Sequence, residues 1–341
     1  MPAPPHPTMN DVASQAGVSR KTVSRFINGT APVADETRAR ILTAMAQLGF
    51  GSARPIVPPG IPASDDIVLL HDGSAPELTM LVEATLADEG AVRMLALRMG
   101  GDDPAGHLRR FLVRNVPNGV VLLPPLSDRE ELPAICAEAG IRCARLGHAD
   151  LACDDRAAMA QLVHWLVAEG HGRVGFISHA DSSLSGRLRE EGYVEGMGHG
   201  LRNGPLMIVP GDGSLASGFA AAQILLDVSP RPGAIVAGND EMAAGALQAA
   251  AQAELMVPRD LSVIGFEDLP IAAKTCPPLT TMRVPWQAIA KEALARLRDG
   301  RVSRHTFAMD IVVRGSARPL ARPDTPARLT LRTPRREGLR E

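Results

Sequence analysis

The pattern of apolar and polar positions divides the chain into a short helical head and a longer alternating body. In residues 9–16, MNDVASQA, the apolar Val12, Ala13 and Ala16 share one helical face, and Gly17 breaks the pattern. Val18 follows, then Ser19, a residue type suited to capping a helix start. A second amphipathic stretch, RKTVSRFIN at 20–28, has Val23, Phe26 and Ile27 on its apolar face and stops at Asn28-Gly29. A third helical pattern spans 35–48, with Asp35 available as its cap. Residues 51–66, GSARPIVPPGIPASDD, carry Pro55, Pro58, Pro59 and Pro62, each damaging to a helix interior, and predict an extended linker.

From residue 66 onward, short apolar runs alternate with helical patterns. Candidate strands fall at 67–71, 92–97, 120–124, 142–146, 174–178, 206–209, 234–237 and 262–266. Helical stretches lie between them at 77–89, 104–114, 155–169, 186–197, 216–227 and 240–252. Regular strand–helix alternation predicts an α/β fold with parallel sheets covered by helices. So many units exceed one compact sheet and predict two lobes, with ligands at the carboxyl ends of the strands. The length of 341 residues, more than one domain commonly holds, agrees.

Composition changes this picture mainly through charge. The net charge of −2 hides a head, residues 1–60, at +3 and a tail, residues 314–341, at +5, which leaves −10 on the middle. A basic end points to an anionic partner and the acidic body to a different one. Only Lys21, Lys274 and Lys291 are lysines, which reads as coding bias. Cys136, Cys143, Cys153 and Cys276 form no CxxC pair and no zinc-ligand spacing, so they predict incidental thiols of a reducing, cytoplasmic compartment and no metal. No run of about 18 apolar residues predicts a membrane span, and MPAPPHPT at the start has no signal-peptide pattern. No GxSxG, GxxxxGK[ST] or HExxH string is present, so no enzyme and no cofactor is predicted.

Two short helices joined through a glycine turn make a helix-turn-helix pattern, whose second helix enters the DNA major groove. A solvated helical hairpin would show the same periodicity. The residues are more specific than the pattern. DVA at 11–13, AGVS at 16–19, TVSR at 22–25, Asn28 and TRARI at 37–41 resemble, almost position by position, the DNA-binding head of the LacI/GalR family of transcription regulators. That resemblance places Arg20 and Lys21 as the base-reading pair and Arg25 as a further base contact. It places Thr8, Ser19, Thr22, Ser24 and Asn28 at phosphates or at the turn. An arginine at the front of a major-groove helix predicts a G·C requirement.

The family has a hinge helix after the head, with a leucine wedge in the minor groove. This linker contains no leucine, and Pro59 aligns with the wedge position. Weaker DNA bending, or Ile56 or Ile61 as a substitute wedge, is the expectation.

The body also resembles the family, whose effector domain has the two-lobed fold of periplasmic sugar-binding proteins. The matching strings are GHGRVGFI at 170–177, SGRLREEGY at 185–193, AIVAGNDEMAAGAL at 234–247, VPRDLSVIGFED at 257–268 and PPLTT at 277–281. By this likeness residues 1–50 are the head, 51–65 the linker and 66–318 the effector-binding and dimerisation domain. One lobe spans 64–168 plus 284–318, the other 169–283. The expected effector residues are Arg189, Asn239 and Glu267, with Asp155, Trp286, Asp72 and Ser74 as further candidates. Each has a plainer alternative: Asp155 as a helix start, Trp286 as core, Asp240 as a helix cap. Gly213 stands where some relatives have an aromatic, which argues against a stacking ligand.

The expected protein is therefore a DNA-binding transcription regulator, more a repressor than an activator, with a palindromic double-stranded operator and a carbohydrate-like small-molecule effector. A solute-binding protein of the same fold is the alternative. Prolines 319, 323, 326 and 334 break the basic tail at 319–341, so no leucine-zipper tetramer is predicted; a disordered tail and a homodimer are.

Overall fold

The computed structural model describes residues 8–28, part of 34–44, 66–90, 93–99, 103–147, 151–179, 183–198, 205–300 and 305–317. The readings made for the linker and for the tail beyond Ala317 lie outside the described residues.

In the head, α1 (Met9–Ala16) and α2 (Arg20–Asn28) meet at the turn that the sequence predicts. Thr8 caps α1 in a reciprocal box: its hydroxyl accepts from the Asp11 amide, and the Asp11 carboxylate accepts from the Thr8 amide at 2.6 Å. Gly17 ends α1 with φ +62°, a conformation that costs a residue with a Cβ. Val12, Ala13, Ala16 and Val23 form a small core with Ile41 and Ala44. The described residues of the third pattern, Thr37, Arg40, Ile41, Thr43 and Ala44, are helical.

The body separates into two compact units. The first contains β1 (Asp66–His71), α3 (Pro76–Asp88), β2 (Arg93–Arg98), α4 (Pro104–Leu112), β3 (Gly119–Leu122), α5 (Glu131–Glu138), β4 (Arg142–Arg145) and β5 (Leu151–Cys153). Its four-stranded sheet has the order β2-β1-β3-β4, parallel throughout. Strands buried on both faces explain why 67–70 and 120–123 read as unbroken apolar runs.

The second unit contains α6 (Asp155–Ala168), β6 (Val174–His179), α7 (Leu184–Met197), β7 (Met207–Gly211), α8 (Leu215–Leu226), β8 (Ala234–Ala237), α9 (Asp240–Gln252), β9 (Ser262–Glu267), α10 (Pro270–Lys274) and β10 (Thr280–Arg283). The chain then returns to the first unit as α11 (Trp286–Asp299) and β11 (His305–Phe307), which pairs with β5. It ends in the second unit with β12 (Asp310–Val312). The order there is β12-β10-β9-β8-β6-β7, parallel except for β12.

Two expected boundaries are corrected. The first crossing lies at Cys153–Asp154 and not near 168, because α6 packs on α7. Gly192 and Gly196 make that contact close: a Cβ on either would press on Met159 or Val163 of α6. Arg156 of α6 also bonds Glu195 of α7 at 2.8 Å. The segment after 308 belongs to the second unit, not the first. There β12 zips onto β10, and the Ser316 hydroxyl donates to the Val263 carbonyl while accepting from the Thr280 amide.

The chain's one tyrosine ties this unit together. Tyr193, fully buried on α7, donates to the Val174 carbonyl at 2.8 Å and accepts from the Met207 amide at 3.1 Å, at the starts of β6 and β7. Tyr193→Phe strands both groups in the core, which costs about 1–3 kcal/mol. Urea unfolding should show that loss with an unchanged circular dichroism spectrum. A loss below about 0.5 kcal/mol would contradict the structural role given to the hydroxyl.

Candidate functional sites: a DNA-binding head and a ligand edge

On the head, Ser19 caps the second helix as expected, accepting from the Thr22 amide at 3.1 Å, and its hydroxyl meets that of Thr22 at 2.8 Å. Arg20, Lys21 and Arg25 are exposed on α2, while Thr22 and Ser24 are half-buried beside the core-facing Val23. Thr8 is exposed at the cap of α1. Asn28 is the last residue of α2; its side chain lies outside the described residues. Three cations on one exposed helix make a surface suited to phosphates and guanine edges. Arg40, which sequence reasoning passed over, bonds the carbonyls of Ala16 and Gly17 and holds the third segment against the turn.

In the second unit, three of the expected effector residues meet. The Arg189 guanidinium, projecting from α7, donates from Nε to Asp155 at 2.7 Å and from Nη1 to Glu267 at 3.0 Å. Its Nη1 also bonds the Gly238 carbonyl at 2.7 Å, and its plane lies 4.2 Å over the Phe266 ring. Arg189 and Asp155 are each only 5% exposed. Burial by itself lowers the arginine pKa, but Asp155 and Glu267 outweigh it and raise it above the ordinary value. Asp155 is not merely a helix start: the neighbouring Asp154 caps α6 by accepting from the Ala157 amide.

Asn239, at the end of β8, is committed at both ends. Its oxygen accepts from the Met242 amide at 2.8 Å and its Nδ2 donates to the Gly213 carbonyl at 2.9 Å. Asn239 is therefore the cap of α9, and the role expected for Asp240 is corrected. Asp240 is fully buried and reaches across the sheet edge, accepting from the Leu269 amide at 2.8 Å and the Thr281 hydroxyl at 2.6 Å. Burial, helped by Glu267 and Asp268, pushes its carboxyl up to about 8 against the opposing Thr281 bond. Glu267 and Asp268 both sit at positive φ, 108° and 57°, a backbone strain that clusters at functional sites. Arg283 and Arg314 pin Asp268, each at 2.6 Å.

The other three candidates belong to the first unit. Asp72 closes its own turn, accepting from the Ser74 amide and hydroxyl at 2.8 and 2.6 Å. Trp286 begins α11, 5% exposed, with its ring beside Gly147, the packed position its plainer reading expects. Among the described residues no group of acidic, histidine or cysteine side chains could hold a metal, and no helix is long and apolar enough to cross a membrane.

Comparison with known proteins agrees with both halves. Residues 8–52 match bacterial regulatory proteins of the lacI family, and residues 163–317 match a periplasmic binding protein-like domain. The HTH-type transcriptional regulator MalR of Streptomyces coelicolor is 32% identical over 90% of this chain and 95% of its own. The chain belongs to the LacI family. The ribose operon repressor of Escherichia coli K12 is 30% identical over 84% of this chain and 91% of its own. Among solved structures, the transcriptional regulator CelR–cellobiose complex superposes with a TM-score of 0.65 at 25% identity, covering 91% of this chain and all of that one. This LacI-family protein is a DNA-binding transcription regulator and not an enzyme.

Four groups around Arg189 and Asp240 escaped sequence reasoning: the Gly238 carbonyl, the Phe266 ring, Thr281 and the buried state of Asp240. Only the first two follow from the strand ends once Arg189 is placed. The folded-state pKa of Asp240 exceeds its ordinary value of 3.8, so its contribution to stability is full below pH about 4 and is lost as pH rises through about 8. Asp240→Asn, a mimic of the protonated acid, should flatten that decline. Urea unfolding of both proteins at pH 5, 7 and 9 checks it; parallel stability curves would contradict the buried-acid assignment.

Proposed function

We propose that this protein is a repressor that binds a two-fold operator as a homodimer, and that a hydroxyl-rich small molecule, most simply a sugar, sets its operator affinity. One observation carries the DNA half of the reading: Arg20, Lys21 and Arg25 stand exposed on the second helix of an ordered helix-turn-helix. Arg20 at the front of that helix reads guanine; Lys21 and Arg25 add base and phosphate contacts; Thr8, Ser19, Thr22, Ser24 and Asn28 hold phosphates or the turn. A dimer matches two heads to two half-sites.

The effector half rests on Asp155, Arg189 and Glu267 gathered at the carboxyl edge of the sheet, where open α/β sheets bind ligands. Asn239 shapes that edge through the Gly213 loop; on the first unit, taken by itself, Asp72, Ser74 and Trp286 are the effector candidates. The ribose operon repressor and the CelR–cellobiose complex support a sugar. Ligand acts by binding one conformational state better than another and so shifting the DNA-binding population. A DNA-binding regulator of this kind works in the cytoplasm.

Genomic fragments captured by the full chain should share one palindrome. Arg20→Ala should weaken binding to it by about 1–3 kcal/mol and relax the preference at one G·C pair per half-site, read by anisotropy at fixed salt. Sedimentation should show a dimer. Capture without a common motif, or an Arg20→Ala protein that binds as tightly as the wild type, would refute this assignment.

A further inference from the structure

The turn between α1 and α2 is short, so its angle decides where the cations of α2 point. Gly17, Val18 and Ser19 alone separate the two helices. The amides of Gly17 and Val18 close the end of α1 by bonding the Ser14 and Ala13 carbonyls, at 3.2 and 2.9 Å. The next two carbonyls are met by a side chain from far along the chain. One nitrogen of Arg40, Nη2, donates to Ala16 at 2.5 Å and to Gly17 at 3.0 Å. A cation there also suits the negative end of the α1 dipole. Gly17 leaves the room for this contact, since a Cβ at that position would lie 2.6 Å from Nη2. Arg40 is a firm anchor because its neighbour Ile41 is fully buried in the core of the head, together with Ala44.

A turn held this closely matters more for reading bases than for holding DNA. A tilt of about 10° at the turn moves Arg25 by about 1 Å, because the helix carries it about 7 Å beyond Arg20. Recognition groups must be held to within about 0.5 Å of their productive geometry. Hydrogen bonds to base edges need distance and angle together and weaken steeply when either is lost. Attraction to phosphates is electrostatic and tolerates such a shift.

We infer that Arg40 is a positioning residue for operator discrimination: by bonding both carbonyls of the turn it holds α2 at the angle from which Arg20, Lys21 and Arg25 read bases, without itself touching DNA. This rests on the DNA half of the proposed function and adds to it a residue outside the recognition helix. Its signature differs from that of a base contact. Losing Arg20 relaxes the choice at one base pair per half-site, whereas losing Arg40 relaxes it at every pair that α2 reads.

The test uses the full-length protein and a pool of random duplexes, from which the wild type should select one palindrome. Arg40→Met should select the same palindrome with weakened preference at several positions of each half-site at once. Anisotropy should show its discrimination between that palindrome and a scrambled duplex reduced about tenfold. Its affinity for the scrambled duplex should stay within about twofold of the wild type, with the same dependence of log affinity on log salt. Arg40→Lys, whose single ammonium lacks the planar fork, should recover part of the discrimination. Hydrogen exchange of peptides spanning 9–28 verifies that the head of each variant is folded. Should Arg40→Met lose that protection, Arg40→Lys carries the same comparison with the wild type. Equal losses on both duplexes, with a salt slope smaller by about one, would make Arg40 a phosphate contact. Discrimination equal to that of the wild type would reduce it to a stabilising bond. Either result would overturn the inference while leaving the DNA-binding regulator standing. A wild type that selects no palindrome would instead sink the operator reading, and this inference with it.

Discussion

Arg189 and its two carboxylates form the constraint around which the second unit is organised. The guanidinium joins α6 through Asp155, β8 through the Gly238 carbonyl and β9 through Glu267. A buried arginine without those partners would be very unfavourable, and each carboxylate would be so without it. The three must therefore be placed together, and placing them fixes this edge of the sheet. The two strained residues, Glu267 and Asp268, sit where this edge turns into α10, and the Arg283 and Arg314 pairs hold the second of them. Strain there is sustained because partners on both sides over-determine the backbone.

The head solves a different problem with few residues. Among the described residues of the head, local devices reinforce the core of Val12, Ala13, Ala16, Val23, Ile41 and Ala44: the Thr8–Asp11 box, the Ser19 cap, Gly17 and the Arg40 bonds to the turn. Those devices consume polar groups pointing inward and leave the cations of α2 outward. The division of charge along the chain follows from this. The positive head suits phosphate, and the strongly acidic stretch between head and tail is repelled by it.

What could be read in the sequence was what is local. Strands buried on both faces write continuous apolar runs, and 234–237 was placed to the residue. The helix-turn-helix was legible because caps and a glycine turn act within a few positions of one another. The short strands β5, β10, β11 and β12 were missed because none of LAC, TTMR, HTF and DIV is an apolar run of four. The boundary after Cys153 was missed for a related reason: α6 joins the second unit through close packing on Gly192 and Gly196, a contact between helices that neither helix announces. Arg189, Asp155 and Glu267 were each singled out, but their mutual pairing across 34 and 78 positions was not readable. Asn239 takes the cap expected of Asp240 because adjacent polar residues at a helix start look alike until their backbone angles are known.

A double-mutant cycle on the Arg189–Asp155 pair tests most directly the claim that this ion pair organises the sheet edge. Arg189→Met should cost about 3–5 kcal/mol in urea unfolding, because it strands buried carboxylates. Adding Asp155→Leu should restore part of that loss, giving a coupling above about 1 kcal/mol. Losses that simply add would contradict the account.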